Sequence, residues 1–194
     1  MREILNAIYK KVSETTEYQA YVDLRDFCKE AMKTDIPLGV EYLLLLSDRM
    51  ETVIPRLASA EDMKKMYLLH KSVMLVGAPY SFHLYLLYVE SNREPSKKFY
   101  PPRRKILKQI VDALQELTDD KLDLLAVSLP PGSGKTTLAI FYLTWLAGKI
   151  PDKPMLTGSH SNSFIRGVYD ECLRILEPNG DYLYDPAELT KYIL

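Results

Sequence analysis

Residues 128–137 read Ser-Leu-Pro-Pro-Gly-Ser-Gly-Lys-Thr-Thr, and their setting leaves few architectures open. An almost unbroken apolar run, residues 122–129, leads into the glycines, and an apolar-rich segment follows them. Such a run suits a strand buried on both faces of a parallel sheet. The segment behind it suits a helix over residues 134–147, stopped by Gly148 with Pro151 beyond. Between the two, Gly132 and Gly134 let the backbone curl so that successive N–H groups point inward around phosphate oxygens, and the helix N-terminus adds the positive end of its dipole. Lys135 then neutralises the β- and γ-phosphates, and the Thr136 hydroxyl ligates magnesium. The expectation is an ATP site made by Pro131, Gly132, Ser133, Gly134, Lys135, Thr136 and Thr137, with Lys135 and Thr136 as its catalytic groups. One position departs from the usual pattern: Leu129 stands where a glycine is ordinarily found.

Downstream, residues 154–158 read as a second short strand ending in small polar residues, at the edge where parallel sheets bind ligands. A turn that only caps the next helix fits the same residues. That helix has Ser161 or Ser163 as its cap and Phe164, Val168, Cys172 and Ile175 on one side. Asp185, Pro186 and Glu188 then open a further helix with a capping box.

The front half has a different character. Residues 2–93 show helical periodicity between breakers and no strand alternation, which predicts a bundle of about four helices. Residues 83–91, His-Leu-Tyr-Leu-Leu-Tyr-Val-Glu-Ser, imitate the apolar run and acid that serve magnesium in phosphate-loop proteins. They precede the loop, however, and Phe82, Leu86 and Val89 have helical spacing, so the stretch reads as a core helix. Residues 94–104, with Pro95, Pro101 and Pro102, read as a linker that delivers Tyr100 and Arg103 to the mouth of the next helix. The domain organisation expected is therefore a helical domain over 1–93, a linker over 94–104 and a nucleotide-binding region over 105–194.

Charge adds little at the global level. Lys+Arg 25 against Asp+Glu 26 leaves a net charge of −1, so attraction to a polyanion must come from local clusters such as Lys97, Lys98, Arg103, Arg104, Lys105 and Lys108. His70, His83 and His160 have no metal-type spacing. Cys28 and Cys172 read as reduced thiols, and no apolar run is long enough for a membrane span. A cytoplasmic protein without a membrane partner is expected.

Phe-Tyr-Pro-Pro-Arg-Arg-Lys-Ile-Leu at 99–107, together with residues 128–164, resembles the N-terminal ATPase region of the large terminase subunits of tailed bacteriophages. The likeness covers about residues 99–176, and the phosphate loop is its one highly specific element. It implies an α/β P-loop NTPase core, present here as its first two strands, preceded by an all-α domain. It also implies adenine contacts near Tyr100 and Arg103, and ATP hydrolysis with magnesium that drives double-stranded DNA in the intact protein. The implied partners are DNA, the small terminase subunit, the portal and neighbouring motor subunits, in the cytoplasm of a bacterial host. The acidic strand, coupling motif and nuclease domain of that family have no counterpart after Thr136, since Asp170, Glu171, Glu177, Asp181 and Asp185 fall on a helix or in turns. The chain thus reads as the front portion of a larger motor, with feeble or no hydrolysis of its own. Two other readings stand beside it: a prophage-derived module that binds nucleotide without hydrolysing it and docks proteins through its helical half, and part of a helicase-like P-loop protein.

Overall fold

The computed structural model describes residues 1–177 and Tyr182. Eight α-helices follow one another among them: α1 (Arg2–Glu14), α2 (Tyr18–Met32), α3 (Ile36–Val53), α4 (Ala60–Gly77), α5 (Phe82–Val89), α6 (Tyr100–Thr118), α7 (Lys135–Lys149) and α8 (Asn162–Leu176). Two compact units result, Met1–Tyr80 and Ser81–Leu194.

In the first unit, α1 to α4 start where local chemistry lets them. Asp35 accepts the Leu38 N–H at 3.0 Å, and Pro37 occupies the first turn of α3, where its missing N–H costs nothing. Ser59 caps α4 by accepting from the N–H groups of Glu61 and Asp62. Their apolar stripes bury Leu5, Leu24, Leu43, Leu46, Met50 and Val73. Gly39 permits a close approach of α3 to α2, since a Cβ there would lie 2.2 Å from Met32 Cγ. One polar pair is carried inside, Ser47 Oγ and His70 Nε2 at 2.8 Å.

The second unit is organised on α5, whose residues from Phe82 to Val89 are all buried. Ser81 caps it through the Leu84 N–H. The side chain of Gln115 on α6 accepts the Phe82 N–H at 2.8 Å, and Tyr85 donates its hydroxyl hydrogen to Thr144 on α7 at 2.8 Å. Residues 83–91, read as a core helix with an acid at its end, are therefore the hub around which α6 and α7 are tied. Helix α6 begins at Tyr100, so Pro101 and Pro102 belong to its first turn and not to a linker. Proline's fixed φ suits that position as well as it suits a linker, which is why the two readings looked alike.

The expected α/β core is corrected by the structure. No strand is formed among the described residues, which are helical apart from turns and irregular segments. Residues 122–129 and 154–158, read as the first two strands, carry no regular secondary structure. Leu124 is 84% exposed and Leu156 98% exposed. An apolar run specifies a buried parallel strand only where neighbours supply the ladder on both sides and layers on both faces. Among the described residues neither is in place, and most of residues 122–129 and all of 154–158 are exposed. Gly148 also fails to stop its helix, which runs on to Lys149. The helix expected at Asp185, Pro186 and Glu188 lies outside the described residues.

Candidate functional site

The turn ahead of α7 is shaped by its two glycines. Gly132 has φ +77° and Gly134 φ +95°, the left-handed region that side chains rarely adopt. The Ser133 N–H donates to the Pro130 carbonyl at 3.3 Å, and the chain enters α7 through Gly134 with no side chain capping the first turn. A helix start leaves its first N–H groups without intrahelical acceptors, here those of Lys135, Thr136 and Thr137. The first N–H satisfied within the turn is that of Leu138, which donates to Gly134 at 2.9 Å. Ser133 Oγ is buried and has no hydrogen-bond partner. Open N–H donors and an unsatisfied hydroxyl at the positive end of a helix form a seat for an anion.

Over this seat lies a cavity of about 420 Å³, lined by Phe99, Arg103, Pro131, Gly132, Ser133, Gly134, Lys135, Thr136 and Thr137. Its volume falls in the range of small-molecule sites. The structure thus brings together the seven loop residues expected from the sequence and places Arg103 with them. Lys135 and Thr136 are exposed, and Lys135 Nζ donates to the Leu129 carbonyl. Arg103 Nη1 donates to the Phe99 carbonyl at 3.2 Å. The guanidinium carbon stands 5.4 Å from the centre of the Phe99 ring. Two cationic side chains from different elements therefore border one cavity.

Tyr100 is placed elsewhere. Its side chain is fully buried, and its hydroxyl lies 2.6 Å from His83 Nδ1. Burial first, then the charges of Arg104 and Lys108, push the His83 pKa down to about 3, so the ring is neutral and can accept the tyrosine proton at Nδ1. The aromatic residue at the cavity is Phe99, which the sequence reading did not single out. Its ring stacks on Phe141 of α7 at 5.9 Å between centroids, and a Cβ on Gly134 would lie 2.4 Å from its Cε2. Phe99 is the floor on which the second loop glycine rests. The signal was present in Phe-Tyr-Pro-Pro, but only the start of α6 decides which aromatic faces the loop.

Other candidate features are weaker. In the basic cluster, Lys97 meets Glu94 at 3.4 Å and Lys108 meets Asp112 at 2.5 Å, which reduces the local positive field. A second cavity, about 500 Å³ and mostly apolar, is lined by Leu143, Met155, Ile165, Val168, Tyr169 and Cys172 among others. Among the described residues no group of three or more His, Cys, Asp or Glu could hold a metal ion, and no helix is long and apolar enough to cross a membrane. No protein-family model matches the chain, and neither the curated proteins nor the solved structures yield a match.

Proposed function

We propose that this chain binds ATP as its magnesium complex, with the phosphates seated in the loop over residues 131–137. The observation that carries the reading is the convergence of uncapped α7 N–H groups, two left-handed glycines, Lys135 and Arg103 on one cavity. Each of these could be structural alone. Together they match a polyanion with several oxygens, which needs N–H donors for orientation and cations for charge. The Thr136 hydroxyl would hold magnesium, a hard ion that takes oxygen ligands. The bound metal would neutralise phosphate charge and fix the bend of the triphosphate. Arg103, a second cation in the same lining, would add its charge to that of Lys135 on the phosphates.

The resemblance of residues 99–107 and 128–164 to large terminase subunits supports a wider role. On that reading the protein couples ATP hydrolysis to translocation of double-stranded DNA, together with a small terminase subunit, a portal or neighbouring motor subunits in a bacterial cytoplasm. The lining supplies N–H groups, hydroxyls and cations, which is the chemistry of holding a triphosphate rather than of activating water. This chain alone is accordingly a binder with little turnover.

Isothermal titration of magnesium-ATP into the wild type and into Lys135→Ala tests the reading. The wild type should bind, and the variant should bind about tenfold or more weakly, a loss of about 1.4 kcal/mol or more. Equal affinity in both would remove the phosphate-gripping role of Lys135. No heat of binding to the wild type would remove the nucleotide reading as a whole.

A further inference from the structure

Glu90 ends α5 with its side chain wholly buried. Its two oxygens are used on a different element: Oε1 accepts the Phe99 N–H and Oε2 the Tyr100 N–H, each at 2.7 Å. Helix α6 has no cap from its own N-terminal residues, and Pro101 and Pro102 have no N–H to satisfy, so this one carboxylate serves as its cap from outside. The arrangement has a cost, because burial raises the Glu90 pKa against the pull of the two N–H groups and Arg93. Its two bonds tie the backbone at Phe99 and Tyr100 to the end of α5.

What it fixes is the floor of the cavity. Phe99, held by its N–H on Glu90, carries Gly134 on its ring and offers its carbonyl to Arg103. The same residues close a circuit of contacts. The Phe99 ring stacks on Phe141, whose ring meets Tyr182 edge-on at 5.1 Å. The Arg93 guanidinium lies 3.8 Å over the Tyr182 ring, and Arg93 returns to Glu90 at 3.4 Å. Each member is held from two sides, so the floor has one position relative to the loop.

Resting on the ATP-binding reading above, we propose that Glu90 is the positioning residue of the nucleotide cavity: its carboxylate holds Phe99 and Arg103 in register with the phosphate loop without touching the nucleotide itself. Replacing it with glutamine keeps the size but presents an amide N–H₂ to one of the two backbone donors, so the segment must shift.

Magnesium-ATP affinity is measured by calorimetry in the full chain for wild type, Glu90→Gln, Arg103→Ala and the double variant, with Ser81→Ala as a control that removes an α5 cap. Glu90→Gln should weaken binding about tenfold. In the Arg103→Ala background it should weaken binding by clearly less than tenfold, because only the route through Phe99 and Gly134 then remains. Ser81→Ala should lower the melting temperature and leave affinity within about twofold, which separates positioning from general destabilisation. Unchanged affinity in Glu90→Gln, or effects of Glu90→Gln and Arg103→Ala that multiply fully, overturns the inference while the ATP reading stands. A wild type that binds no ATP overturns both. If Glu90→Gln does not fold, the wild type decides by hydrogen exchange. The Phe99 and Tyr100 amides should exchange about fivefold or more slowly with magnesium-ATP bound, and no change at either would overturn the inference.

Discussion

Gly132 and Gly134 look interchangeable in the sequence and differ in space. Both have positive φ, but a Cβ on Gly132 would meet nothing within 4 Å, whereas one on Gly134 would collide with Phe99. Gly132→Ala should therefore cost only backbone strain, about 1–2 kcal/mol. Gly134→Ala should add an overlap of about 1–3 kcal/mol with a ring that stacking on Phe141 prevents from yielding. Urea unfolding of the two variants checks this, and equal losses would mean that Phe99 is not a rigid floor. At this scale the turn into α7 was legible, because two glycines flanking one residue at a helix entry suit a left-handed backbone. Tyr100 was not. Adjacent residues on a helix point about 100° apart, so choosing between Phe99 and Tyr100 required knowing that α6 starts at Tyr100.

Between elements, the pairing of α5 with α6 carries a pH signature. His83 on α5 and Tyr100 on α6 meet in a buried site, and the folded chain refuses a proton on His83 until about pH 3, against 6.5 for a free ring. The unfolded chain accepts that proton below about 6.5. The stability owed to neutral His83 is thus complete above that value and is lost as pH falls toward 3, with a loss of about 2 kcal/mol by about pH 5. Glu90 works in the opposite sense, since its raised pKa lets the folded state take up a proton first. Melting temperatures of wild type and His83→Gln between about pH 8 and pH 5 separate the two contributions. The variant should lose less stability than the wild type as the pH falls, and parallel profiles would contradict a neutral buried ring. Helices were readable at this scale because their hydrogen bonds are local and their stripes repeat within one segment, as in α2 and α4. Residues 122–129 show the limit: the apolar run reads as a strand and forms none among the described residues, because a strand needs a partner that composition cannot supply.

Over the whole molecule, every residue that lines the cavity over the glycine turn lies in the unit Ser81–Leu194. The unit Met1–Tyr80 has the marks of independent folding. Two of its helices, α3 and α4, carry their own caps at Asp35 and Ser59, its buried side chains come from all four helices, and Ser47 and His70 pair within it. Chains of this length fold alone when they can bury enough apolar surface. Cys28 offers a direct report, because it is wholly buried and burial pushes its thiol pKa up to about 12, so a folded unit keeps it from being the thiolate that thiol reagents attack. A chain of residues 1–80 contains no other cysteine. It should melt cooperatively, show helical circular dichroism, leave Cys28 unreactive until denaturant is added and bind no ATP. Immediate reaction of Cys28 in buffer, with a gradual melt, would show that the first unit needs the second to fold. ATP binding by the fragment would move the site away from the loop, because none of the groups assigned to the nucleotide would then be present.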